Sequence, residues 1–148
     1  MNLIPKYRVA LVREKSIPWH GRKFSCSRHV WDFGKELTDC ADREQFWALL
    51  LDAKNGLIGA NLVSLGSLCT NIVHPREVLK PAILLSAAGI VVLHNHPSGD
   101  PAPSQEDRDC TERLTAACKV VGISLLDHVI IGDSSFFSFS DAQGKKLC

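Results

Sequence analysis

The chain has 148 residues, 45% hydrophobic and 22% charged, an ordinary globular balance without repeats or low-complexity tracts that suits one domain with its own core. Its net charge of +1 removes the broad basic footprint with which proteins grip a phosphate backbone. No apolar run reaches the ~20 residues of a membrane span, the N-terminus MNLIPKYRVALVRE lacks a secretory signal's apolar stretch, and none of the six cysteines (Cys26, Cys40, Cys69, Cys110, Cys118, Cys148) forms a C-x-x-C pair. The expectation is a cytoplasmic protein with reduced thiols.

Residues 7–14 (YRVALVRE) are rich in β-formers and predict a first strand, followed by a Pro/Gly/Ser-containing loop. Val30, Phe33 and Leu37 recur at helical spacing over 29–37, although Gly34 weakens that helix. The apolar run 45–53 ends at Asn55-Gly56, the strongest short hairpin signal, so 57–65 should return antiparallel beside it. A helix is expected over 74–89, opened by Pro75, closed by Gly89 and kinked or split by Pro81. Residues 90–94 (IVVLH) form a run with no polar interruption until its last residue, as in a buried central strand. The clearest helix covers 104–122, with Leu114, Ala117, Cys118 and Val121 on one face and Gly122 as its stop. Strand 125–132, a turn and a returning strand at 136–140 complete the chain. This mixture predicts an α/β or α+β sandwich of helices around a mixed sheet, in a single domain spanning 1–148.

The stretch LHNHPSGDPAPSQED (93–107) carries the chemistry. Side chains two apart on a strand share a face, ~6.8 Å apart along it, so His94 and His96 converge at the strand's C-terminal end. Two imidazoles there can hold one divalent metal. The loop from Pro97 to Pro103 contains three prolines and one glycine, which limits the entropy lost in ordering it. It returns the chain to Ser104 and the first turn of the next helix, where Asp107 can offer a third ligand. Three protein ligands and one open position are the arrangement of a catalytic zinc site. Ser104-x-x-Asp107 also reads as an N-cap serine with an acid at N3, and the two roles are compatible.

HNHPSGDPAPSQED resembles the JAMM metalloprotease motif: H-x-H, seven residues, S-x-x-D. With VHPREV and LLDHVIIGD it resembles the RadC-type branch of that superfamily, from about residue 27 to the end. The resemblance implies a three-layer α/β/α fold around a mixed, mostly antiparallel sheet, JAB/MPN-like and akin to the cytidine deaminases. It implies one zinc per chain on His94, His96 and Asp107, with Ser104 near the zinc-bound water, and cleavage of peptide or isopeptide bonds.

Two features depart from the family pattern. Family members place a glutamate general base on an earlier strand; counting back from Gly66 in NLVSLGSL, that position holds Asn61, which cannot accept a proton at neutral pH. General acid–base help is typically worth about 10²–10⁴-fold, so catalysis here is expected to be slow or lost. Longer RadC proteins also carry an N-terminal helical region associated with DNA, and a DNA-repair label; the expectation is that this chain lacks that region, so a DNA role loses support and a peptide or protein partner is expected.

Three functions therefore compete: a zinc hydrolase of amide bonds, a metal-retaining interaction module in which Asn61 has removed proton transfer, and a metal-dependent nuclease, disfavoured by the near-neutral charge. His128 reads either as support for the metal site or as a hydrogen-bonded sheet residue. His74, Pro75, Arg76 and Glu77 read as a helix start, with Arg76 an alternative carboxylate binder. Cys69 has no paired base and reads as packing. His20, His29, Trp19, Trp31 and Trp47 read as surface or packing residues.

Overall fold

The computed structural model describes residues 3–21, 23–66 and 73–147. The elements run α1 (Ser27–Leu37), β1 (Gln45–Leu51), β2 (Leu57–Leu65), α2 (Pro75–Leu84), β3 (Gly89–Asn95), α3 (Gln105–Val121), β4 (Ser124–Ile131), β5 (Phe136–Ser138) and α4 (Phe139–Ala142). One five-stranded sheet has the order β2-β1-β3-β4-β5. Only β3 and β4 pair in parallel, and the other three pairings are antiparallel. Helix α1 covers one face, and α2 and α3 cover the other, which is the expected three-layer α/β/α arrangement.

The hairpin at Asn55-Gly56 forms as predicted. The Asp52 carboxylate accepts from the backbone N–H of Lys54 and Gly56, and Asn55 takes the left-handed backbone (φ 61°) that the tight turn requires. Gly34, a weak point for a helix, lets α1 approach the sheet closely: a Cβ there would lie 2.8 Å from Ile131 Cδ1. All seven residues of β3 are buried, since its neighbours β1 and β4 cover both edges and helices cover both faces. The β3–β4 register shifts between Ile90 and Val91, which pair with Leu125 and Asp127 and leave Leu126 as an extra residue.

Five expectations need correction. No strand forms at 7–14: Leu3, Ile4, Tyr7, Val9, Leu11 and Val12 are exposed, because alternation makes a strand only against a free edge and this segment pairs with neither β2 nor β5. Helix α2 ends at Leu84 rather than Gly89, closed by a left-handed Ser86 and by the Ala87 N–H donating to the Ala82 carbonyl, while Gly89 begins β3. Pro81 does not split α2; it forgoes one N–H bond, and its own carbonyl accepts from Leu85. The inner face of α3 is Asp107, Cys110, Leu114 and Cys118, residues three and four apart, with Val121 exposed. Strand β5 stops at Ser138, whose hydroxyl accepts from the Asp141 N–H and starts α4.

Candidate metal centre

His94 is the penultimate residue of β3 and is fully buried, its ring stacked on Phe46 (centroids 5.8 Å apart, 13° between planes). His96 follows the strand's end. Its backbone N–H donates to Ile131 as though the parallel pairing continued, and its Nδ1–H donates to the Asp100 carbonyl at 2.8 Å. A neutral imidazole carries one ring hydrogen, so this bond leaves His96 Nε2 bare. The two Nε2 atoms of His94 and His96 lie 3.0 Å apart. The loop between His96 and α3 is pinned in turn: Gly99 (φ 81°) bonds back to His96, and its carbonyl accepts from Asp133 in the β4–β5 turn.

Asp107 is set by the start of α3. The Ser104 hydroxyl accepts from the Asp107 N–H at 3.1 Å, and Asp107 Oδ2 accepts from the Ser104 N–H at 2.8 Å, a reciprocal capping box. The second carboxylate oxygen, Oδ1, is buried, has no hydrogen-bond partner among the described residues, and lies 3.2 Å from His94 Nε2. A buried carboxylate oxygen without a donor costs several kcal/mol unless a cation meets it, on the order of the penalties known for unpaired buried charges. Burial works against charge on Asp107, but the two imidazoles and the Ser104 N–H outweigh it and hold the carboxyl well below the usual carboxylate range. The Asp107 carboxylate raises His96 from its ordinary value, against a lesser effect of desolvation.

The ligand atoms of His94, His96 and Asp107 all lie within 4.8 Å of one another. The three residues therefore fit a divalent cation by number, type and direction: two nitrogens and one oxygen facing a common point. His94 and Asp107 form the buried wall, while His96, with a 17% exposed side chain, opens to solvent. Ser104 is exposed beside them, and its hydroxyl hydrogen is not used by the capping box.

Asn61 lies on edge strand β2. It pairs with Ala48, which pairs with Val92, so Asn61 belongs to the sheet face that also carries His94, one residue pair below it. Among the described residues no hydrogen bond joins Asn61 to the three ligands. Cys69 lies outside the described residues. His74 stands at the N-cap position of α2, its backbone carbonyl accepting from the Glu77 N–H, and Glu77 pairs with Lys80 at 2.6 Å and Arg76 at 3.5 Å, the helix-start role expected of this segment. The other described cysteines, Cys26, Cys40, Cys110 and Cys118, are free thiols, and burial pushes Cys110 and Cys118 up to about 11.

Sequence reasoning left the role of His128 open and missed Thr111. His128 is buried, with Nε2 2.9 Å from His94 Nδ1 and Nδ1 2.7 Å from Thr111 Oγ1. Asp127 was not singled out either. It accepts from Ser138 Oγ, Ser140 N and His128 N, tying β4 to β5 and α4. Both charged-type residues interrupt an apolar strand, which was the available signal. Thr111 follows Asp107 by four residues, one helical turn along the same face.

The RadC-like JAB domain matches residues 24–145. A UPF0758 protein of Trichlorobacter lovleyi is 50% identical over 121 residues, covering 81% of this chain and 52% of that protein. One of Pelobacter propionicus is 52% identical over 118 residues (79% and 51%), and one of Methanococcoides burtonii 54% identical over 99 residues (67% and 43%). The chain thus spans about half the length of the curated relatives it matches. No described helix is long and apolar enough to cross a membrane. The fold, the His-His-Asp cluster and these matches together place the chain in the RadC-like JAB domain family.

Proposed function

We propose that the domain is a zinc-dependent hydrolase acting on peptide or isopeptide bonds, with one zinc held by His94, His96 and Asp107. The observation that carries this reading is the convergence of two imidazole nitrogens and an orphaned carboxylate oxygen at the solvent-reached C-terminal end of the central strand β3. Two imidazoles and a carboxylate are a borderline-soft donor set that suits zinc. Bound there, the ion would polarise a carbonyl and lower the pKa of water. Ser104 keeps a hydroxyl hydrogen that can donate to a substrate oxygen gaining charge. Asn61 can orient a polar group by its amide but cannot carry a proton at neutral pH. A cytoplasmic setting agrees with the free thiols of the four described cysteines, and a protein or peptide partner agrees with the near-neutral charge better than DNA does.

A second reading rests on Asn61 alone. With no carboxylate at that position on the site's face, the domain would keep its metal and recognise a partner without turning it over. Two measurements separate the readings. Wild type should carry about one zinc per chain and His96→Ala much less; equal zinc in both would remove the metal site. Amide hydrolysis across a peptide and isopeptide panel should rise about 10²-fold or more in Asn61→Glu if proton transfer limits the rate. Brisk wild-type turnover that Asn61→Glu slows would show that residue 61 is not the vacated base position.

A further inference from the structure

The buried polar residues behind the ligands form a chain whose direction is set by one backbone carbonyl. Thr111 Oγ1 lies 2.7 Å from the Asp107 carbonyl oxygen and 2.7 Å from His128 Nδ1. A carbonyl only accepts, so the single hydroxyl hydrogen of Thr111 is spent on Asp107. The hydroxyl must then accept from His128, whose Nδ1 carries the hydrogen. The His128 ring is fully enclosed, stacked on Phe139 (5.0 Å, 13°) with Phe46 at its edge (5.6 Å, 65°), surroundings in which an imidazole is neutral. With Nδ1 protonated, its Nε2 is bare and accepts from His94 Nδ1–H at 2.9 Å. His94 therefore presents a bare Nε2 toward His96 and Asp107.

We infer that Thr111 and His128 are positioning residues that hold His94 in the Nδ1–H tautomer, with its Nε2 lone pair committed to the metal. The inference deepens the metal reading and rests on it for its effect on affinity, although the tautomers themselves exist without metal. The arrangement mirrors that of His96, which is set by direct donation to the Asp100 carbonyl. His94 is fully buried, its Nδ1 is met by His128 Nε2 rather than by a carbonyl among the described residues, and the relay brings the same instruction from one turn along α3. Both the Asp107 carboxylate and the Asp107 carbonyl thus serve the site, the first as ligand and the second as origin of the relay. Partners of this kind on metal-ligating histidines typically change metal affinity about 10–100-fold when removed.

The test is the tautomeric state of the rings, read by nitrogen-15 correlation spectra of the metal-free full chain. Wild type should show both His94 and His128 protonated at Nδ1; for His128 this is the less favoured form of a free neutral imidazole. His128 protonated at Nε2 would overturn the inference. In Thr111→Val the hydroxyl acceptor is gone, so the His128 hydrogen should move to Nε2 and His94 should switch to the form that blocks its metal-facing nitrogen. Zinc affinity, measured by competition with a chromophoric chelator, should fall about 10–100-fold, and Thr111→Ser should restore both tautomers and affinity. A role in packing alone would lower stability and leave the tautomers in place, which would also overturn the inference. If Thr111→Val does not fold, the wild-type spectrum decides. If wild type binds no zinc while both rings show Nδ1–H, the relay stands and the metal reading falls.

Discussion

The two faces of the sheet are built to different rules. Beneath α1, Phe24, Val30, Phe33, Leu49, Leu93 and Val129 form a cluster closed by hydrocarbon and ring contacts, with Trp19 tilted over Phe24 and edge-on to Phe33. Beneath α2 and α3, a comparable cluster around Leu50, Val78, Ile90 and Leu114 gives way at one end to His94, Asp107 and His128, none more than 1% exposed. Hydrocarbon asks only for shape, and any good fit stabilises it. Buried imidazoles and a carboxylate ask for partners in a particular order, and the chain supplies all but one of them. The first face holds the fold. The second uses part of its buried volume on a cluster of two imidazoles and a carboxylate that could hold a cation.

The largest expected effect breaks the first face while sparing the second. Phe33→Ala removes a 1% exposed ring and should cost about 3–5 kcal/mol of stability, read from urea midpoints, while zinc per folded chain stays unchanged. Loss of zinc in the folded fraction would mean that the faces are not independent. The next effect acts from the other side. Chelation should lower the melting temperature and leave the far-ultraviolet dichroism spectrum native, because the core does not depend on the site. Free zinc at 100 times Kd should return about 2.7 kcal/mol by mass action. A coil spectrum after chelation would make the metal structural.

The smallest effect sharpens the comparison at Asp127, which links β4 to β5 and α4. Burial pushes its carboxyl up to about 6 from 3.8, against the three donors that bond it. The protonated form is thus favoured by the fold. Its contribution to stability is fully present below about pH 4 and is lost as pH rises through about 6. Relative to Asp127→Asn, wild type should lose about 1–3 kcal/mol between these values, read from denaturation midpoints of the metal-free proteins at each pH. Parallel pH profiles would show that the carboxylate is held charged by its donors.

The candidate site was legible because it is local. His94 and His96 are two apart, and Ser104 and Asp107 open one helix, so spacing alone predicts convergence once the strand and helix are recognised. The strand and helix were recognised because β3 is apolar throughout up to His94 and α3 has its cap and stop in sequence. Thr111 and His128 were not legible as partners because they meet only through the pairing of β4 beside β3. The strand expected at 7–14 failed for the same reason in reverse: its composition suits a strand, and no edge receives it. Ser86 closing α2 was hidden because a left-handed serine leaves no mark that a glycine would.

The extra residue at Leu126 chooses which member of an Asp-His pair meets His94. Parallel partners share a face, and with the shift His128 stands beside Val92, on the face of His94, while Asp127 stands beside Val91 and the α1 side. Strict alternation from Leu125 would put Asp127 beside Val92 and turn His128 to the opposite face. The ring nitrogen behind His94 would be replaced by a carboxylate, a partner that accepts a hydrogen but has none to hand on to Thr111. Pairing the same β4 sequence without the shift would therefore exchange a two-sided, neutral neighbour for a carboxylate behind His94, whereas deleting Leu126 would close the bulge and leave His128 where it stands.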